Sequence, residues 1–201
     1  FESLAAYTVK EGNLATPDEP ERVGLASVSP TFFSVLGVRP VVGRTFLPDD
    51  DRVMPATVAV LSYGLWQRRF GGDRRIVGRT IPFNGVPRTV VGVMPQYFDY
   101  PTAHIDVWLP IARFNSDSLG ERMNHYLFLV GRLRRDVPVA RAVNEATMVA
   151  RRLTRDYADK YDPNAPLVPV ITPVSEVLVG ATRPYVWTLF AACSGGPSGQ
   201  R

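Results

Sequence analysis

The sequence predicts an α+β fold in which mixed sheets carry packed helices. Three observations support this. Short apolar runs of strand character are separated by turn signals, and one long stretch repeats its apolar residues at helical spacing. The two kinds of element also lack the regular βαβ rhythm of a purely parallel sheet.

In chain order, residues 4–9 alternate weakly and read as a strand, residues 16–20 (TPDEP) as a loop, and residues 23–28 as a second strand. Ser29 stands where a helix N-cap belongs, with Pro30 at the first helical position. TFFSVL then forms a short helix that buries Phe32, Phe33 and Leu36 and stops at Gly37. RPVVGRTF and an acidic loop at 48–51 follow.

The pattern then recurs. Residues 57–61 (TVAVL) are an apolar strand, Ser62 is again an N-cap, and YGLWQRRF is a helix ended by Gly71 and Gly72. VGRT occurs at 42–45 and again at 77–80. The shared order favours two related strand-helix units, and the alternative is chance recurrence of a common β-α-turn grammar.

Asn84-Gly85 joins two alternating runs within 80–94 and calls for a type I′ hairpin. Residues 105–109 (IDVWL) and 125–133 (HYLFLVGRL) read as further strands. Between Pro138 and Tyr157, the apolar residues Val139, Ala142, Val143, Ala146, Val149, Ala150, Leu153 and Tyr157 recur at helical spacing. Arg141, Arg151 and Arg155 occupy other faces, so the helix lies on a sheet with Ala142, Val143, Ala146 and Leu153 buried. Residues 167–171 read as a last strand.

Composition narrows the function. A chain of 201 residues, 45% apolar and 21% charged, can bury a core and is not disordered. The net charge of +4 comes from scattered arginines with no basic stripe interleaved with aromatics, which speaks against nucleic-acid binding. A single cysteine, Cys193, permits neither an internal disulfide nor a cysteine metal site. FESLAAYTVKEG lacks the basic and apolar regions of a signal peptide. No apolar run reaches the roughly 20 residues that span a bilayer. The nearest is YVWTLFAAC at 185–193, which gives way to the linker-like SGGPSGQR.

No catalytic constellation emerges. His104 and His125 belong to no HExxH-like pair and read as structural. There is no GxSxG elbow. GDRRIVGRT, at 72–80, has the wrong glycine spacing for a phosphate loop, arginine in place of lysine, and a hairpin where the helix should start. Asp49, Asp50 and Asp51 are consecutive and point apart, so they read as a solvated loop and not as a cation site. Trp66, Trp108 and Trp187 read as core or interface anchors. The sequence thus predicts no catalytic, cofactor-binding or metal-binding residues, and no cofactor.

VSPTFFSVLGVRPVVGRTFLPDDD, VAVLSYGLWQRRFGGD, IVGRTIPFNGVPRTVVGVMP and DVWLPI, in that order, resemble the extracytoplasmic core domain of MacB/FtsX-type ABC transporter permeases. Within that family they are most like the large duplicated permeases of acidobacteria. The resemblance runs from about residue 4 to residue 185. It implies a porter-like βαβ lobe, a smaller inserted strand-rich lobe around Asn84, and no enzymatic activity. By the same resemblance, residues 1–178 form the MacB-like core domain, residues 179–193 begin a truncated membrane helix, and residues 194–201 are a polar tail foreign to the family. A fragment or a frameshifted product is the expected account of that tail.

The resemblance further implies a location on the extracytoplasmic side of the inner membrane, with flanking membrane helices. A cytosolic ABC ATPase partner and a second permease half or second copy are implied too. A binding or sensing module without transport is the alternative, and an uncharacterised soluble enzyme is a third reading. If membrane helices flank the domain, the strand from Leu4 and the segment near Arg183 emerge on one side. Phe32, Phe33, Leu65 and Trp66 are the candidates for packing the short helices.

Overall fold

Turn chemistry sets most of the element boundaries. The computed structural model describes residues 1–15, 20–51, 58–102, 104–111, 127–158, 161 and 167–176, and divides into two units, Phe1–Asp136 and Val137–Arg201. The first unit runs β1 (Ser3–Leu14), β2 (Glu21–Val28), α1 (Phe32–Leu36), β3 (Val42–Gly43), β4 (Val58–Leu61), α2 (Tyr63–Phe70), β5 (Thr80–Phe83), β6 (Val86–Val93), β7 (Val107–Pro110) and β8 (Phe128–Arg132). Short 3₁₀ turns lie at Pro48–Asp51 and Arg74–Ile76.

Both strand-helix units are present, and both helices stop at a left-handed glycine, Gly37 (φ 72°) and Gly71 (φ 59°). Ser62 caps α2 by accepting the Leu65 N–H at 3.1 Å. Ser29 does not cap α1. Thr31 holds the N-cap position without a side-chain bond, while the Ser29 hydroxyl accepts the Ala6 N–H at 2.9 Å. The strand competes for that hydroxyl and takes it.

The sheet is mixed. β2 runs parallel to β7 and β4 parallel to β6, and the two parallel pairs meet where β4 and β7 are antiparallel. β1 pairs with β2 on one edge and with β8 and β5 on the other. The order β2-β7-β4-β6-β5-β1 therefore returns to β2, and the sheet closes on itself. Asn84 is the clasp. Asn84 and Gly85 have φ of 51° and 75°, as a type I′ turn requires. The Asn84 N–H donates to the Asn13 carbonyl at 2.8 Å, and the Asn84 side-chain oxygen accepts the Asn13 N–H at 2.7 Å. The hairpin strands β5 and β6 share this one sheet with the strand-helix units.

The two VGRT segments lie end to end along one edge of β6. Arg44 donates to Val91 at 2.8 Å in the first and Gly78 to Val90 at 2.8 Å in the second, while β4 occupies the opposite edge.

Alternation along the strands builds a core on each face. One core joins Leu65 and Trp66 of α2 to Leu25, Leu61, Val107 and Leu109. On the other, Phe32 and Phe33 of α1 face Trp108, whose side chain points opposite to its neighbours. Phe32, Phe33, Leu65 and Trp66 are all buried, as the sequence predicts. Leu36 is only half-buried, and Val35 is buried in its place.

In the second unit, α3 (Val139–Asp156) matches the predicted helix. Ala142, Ala150 and Thr154 are buried, and Val143, Ala146 and Leu153 half-buried, whereas Val149 is exposed. The strand expected at 167–171 is not formed. Pro169 sits mid-run and removes a ladder donor. No helix among the described residues is long and apolar enough to cross a membrane. The expected loop at 16–20 falls mostly outside the described residues. His125, Arg183, Trp187, Cys193 and the segments 179–193 and 194–201 lie wholly outside them.

Candidate coupling site

Hydrogen bonds concentrate around the five residues of α1. At its entry, the Ser29 N–H donates to the Ala6 carbonyl at 2.9 Å, the Ser29 hydroxyl accepts from Ala6, and the Thr31 hydroxyl donates to the Leu4 carbonyl at 3.0 Å. At its exit, the Arg132 guanidinium donates twice to the Val35 carbonyl, at 3.1 and 2.7 Å. A cation at a helix C-terminus satisfies an orphan carbonyl and complements the helix dipole. Ser29 and Thr31 hold β1 and Arg132 belongs to β8, so α1 bridges the two strands. The strands pair antiparallel from Ser3↔Arg132 to Tyr7↔Phe128, and the Glu2 N–H donates to the Arg132 carbonyl at 2.8 Å. The start of β1 and the end of β8 therefore leave the first unit side by side.

A cluster of rings extends inward from this pair. Tyr7 stacks on Phe128 at 5.5 Å and meets Phe32 and Tyr100 edge-on, each at 5.8 Å. Phe32 contacts Phe33, and Phe33 meets Phe46, Phe98 and Trp108. Such pairs add roughly 0.5–1.5 kcal/mol each beyond area burial. Burial, aided by a hydrogen bond with Tyr7, pushes the Tyr100 phenol well above the ordinary tyrosine range. The phenol therefore stays neutral in the cluster.

The acidic loop is more ordered than expected. Asp50 accepts a forked pair from Arg44 at 2.5 and 3.1 Å and the Leu47 N–H at 2.7 Å. Burial alone would raise its pKa, but Arg44 and the Leu47 N–H outweigh burial and hold it low. Asp50 therefore braces the loop and is not solvated, because a planar guanidinium six residues upstream matches its carboxylate.

A second ionic group fastens α2 to the sheet. Arg68 bridges Glu21 at 2.8 Å and Asp106 at 3.1 Å, and Arg69 also pairs with Glu21. The Arg69 hydrogen bond leads in holding the Glu21 carboxyl below its usual range, with Arg68 adding to it against burial.

The remaining polar candidates have structural surroundings. His104 is exposed with φ 82°, and its carbonyl lies where a Cβ on Gly24 would stand. Within GDRRIVGRT, Asp73 caps a 3₁₀ turn and pairs with Arg75. Among the described residues, no three His, Cys, Asp or Glu groups gather as metal ligands do.

Sequence reasoning missed Arg132 and the sheet role of Ser29. Neither has a local signal, since their partners lie 97 and 23 residues away.

Fold and site together define an α+β domain with a closed mixed sheet and a braced strand pair. A family model, the MacB-like periplasmic core domain, matches residues 1–149, and the chain belongs to that family. No curated protein matches it.

Similar solved structures include three domains of transporter and permease proteins. The periplasmic region of MacB from Actinobacillus actinomycetemcomitans is 21% identical with a TM-score of 0.59, over 75% of this chain and 66% of that one. The extracellular domain of the noncanonic ABC-type transporter YknZ from Gram-positive bacteria is 16% identical with a TM-score of 0.59, over 78% and 76%. A domain described as belonging to a permease protein of Porphyromonas gingivalis is 18% identical with a TM-score of 0.58, over 88% and 78%. This chain thus spans just under two thirds of the MacB region. At these identities the likeness is one of fold.

Proposed function

We propose that the chain is the extracytoplasmic domain of an ABC-type permease, outside the cytoplasmic membrane, and that it passes conformational change driven by a cytosolic ATPase to the outer side or to partner proteins. The observation that carries this reading is the family match over residues 1–149. Two features of the first unit suit it. Ser3 and Arg132 are paired, so the start of β1 and the link toward the second unit leave the first unit from one end, which suits a body held and loaded at that end. Its two faces are packed cores, so it can move as a stiff piece. In this reading, residues 1–178 are the core domain, residues 179–193 enter the membrane, a second permease half or second copy completes the transporter, and the chain performs no catalytic step.

The test is topology in the full reading frame. Tyr97 is 80% exposed. Tyr97→Cys in the complete protein should react with a membrane-impermeant thiol reagent added outside the cytoplasmic membrane, and a hydrophobic helix should be encoded just upstream with several downstream. Labelling only after that membrane is opened, or a frame without such helices, would sink the reading.

A binding or sensing module without transport remains the second reading. The exposed apolar row Leu4, Leu127 and Leu129 favours it, because such a row suits a contact surface. Wild-type transport by a full permease with this row made polar would count against it.

A further inference from the structure

We propose that the β1–β8 pair opens as a unit from its Ser3–Arg132 end, with α1 as the splint that restrains it and Arg132 as the latch. The inference deepens the permease reading and rests on it for the source of the load.

The pairing lies at the margin of the sheet, outside the ring of strands that closes. It has five rungs, and among the described residues β8 has one strand neighbour, β1. Only Val130 of β8 is buried, while Phe128 and Leu129 are 59% and 69% exposed, so little apolar area holds the strand. Segments with few buried apolar contacts sit at the low end of local stability. Both connections lie at the Ser3–Arg132 end, so parting them loads one rung at a time and not all five together. Opening halts at Tyr7, because from there to Leu14 β1 is also paired with β2 through eight rungs.

The splint follows from the bonds at the ends of α1. Its entry is fixed to β1 through Leu4 and Ala6, and its exit to β8 through Arg132. When β8 leaves, the Val35 carbonyl loses both donors, and the last turn of a five-residue helix has no other side-chain cap to hold it. Phe32 and Phe33 sit on that helix within the ring cluster, so movement of these two connections reaches the interior through α1.

Hydrogen exchange on the 201-residue chain tests this directly. Amides of residues 3–6, 128–132 and 35–38 should exchange together, at least about tenfold faster than those of β4 and β6. Arg132→Ala should speed all three groups by about another tenfold and leave β4 and β6 unchanged, with Arg132→Lys intermediate. A rise confined to β8 with the Gly37 and Val38 amides unmoved would overturn the splint, and an equal rise in every element would overturn local opening.

Should Arg132→Ala fail to fold, a disulfide between Leu4→Cys and Gly131→Cys, which face each other in register, replaces it in a Cys193→Ser background. The staple should abolish the fast exchange, and unchanged exchange overturns the proposal. The measurement needs neither membrane nor ATPase. A negative result therefore leaves the permease reading standing, and failure of the topology test leaves the splint standing.

Discussion

Asp50, one carboxylate of three in a row, accepts a forked guanidinium pair and a backbone N–H. Asp50→Ala should cost about 1–2 kcal/mol at neutral pH, the worth of charge-assisted bonds at a partly exposed site. The pH dependence has a definite sign. The folded pKa of Asp50 is depressed, so its contribution is complete above the unfolded value of about 3.9 and is lost as pH falls through the lower folded value. Urea titrations of wild type and Asp50→Ala should therefore differ at pH 7 and converge in strong acid. The triplet was legible in the sequence, but the bracing of Asp50 was not, because it depends on where the backbone turn aims the carboxylate.

Paired motifs give controlled comparisons among the elements. Gly43 and Gly78 occupy the same place in the two VGRT segments and both have positive φ, 73° and 91°. A Cβ on Gly43 would lie 2.1 Å from the Val91 carbonyl oxygen, whereas one on Gly78 would meet nothing within 4 Å. Gly78→Ala should cost about 1–2 kcal/mol for backbone strain alone, and Gly43→Ala more than about 3 kcal/mol because β3 must also lift from β6. Denaturant midpoints of the two variants would settle the order.

The serines make a second pair. Ser62→Ala should cost about 1 kcal/mol through loss of the α2 cap. Ser29→Ala should instead speed exchange of the Ala6 amide, which nuclear magnetic resonance can read. The sequence announced the Ser62 cap, the glycine stops, the Asn84-Gly85 hairpin and the long helix, because each is encoded within a few residues. It misread Ser29, since a strand 23 residues away outbids the local helix for the hydroxyl.

Across the whole molecule, stability rests on rings that meet from distant parts of the chain. Phe33, 1% exposed, touches Phe32, Phe46, Phe98 and Trp108. Phe33→Ala should cost about 3–5 kcal/mol and flatten the near-ultraviolet circular dichroism, whereas Phe128→Ala at the exposed edge should cost less than about 1 kcal/mol. Chemical denaturation of both variants checks the contrast. The fold class was legible from period and turn chemistry. Closure of the sheet was not, because it depends on Leu14 meeting Phe83 and on two asparagines 71 residues apart. The ionic fastening of α2 was hidden for the same reason, with partners 47 and 38 residues away.

The pairing of β1 with β8 also bears on synthesis. Residues 7–14 find β2 as soon as it leaves the ribosome, but residues 3–7 must wait until 128–132 have emerged. At roughly 5–20 residues per second, that interval lasts about 5–25 seconds. Throughout it, the segment FESLAAY offers an unpaired apolar edge to whatever else is nearby. A nascent chain arrested before residue 128 should therefore crosslink through residues 1–7 to neighbouring chains or chaperones. One released past residue 136 should lose those crosslinks.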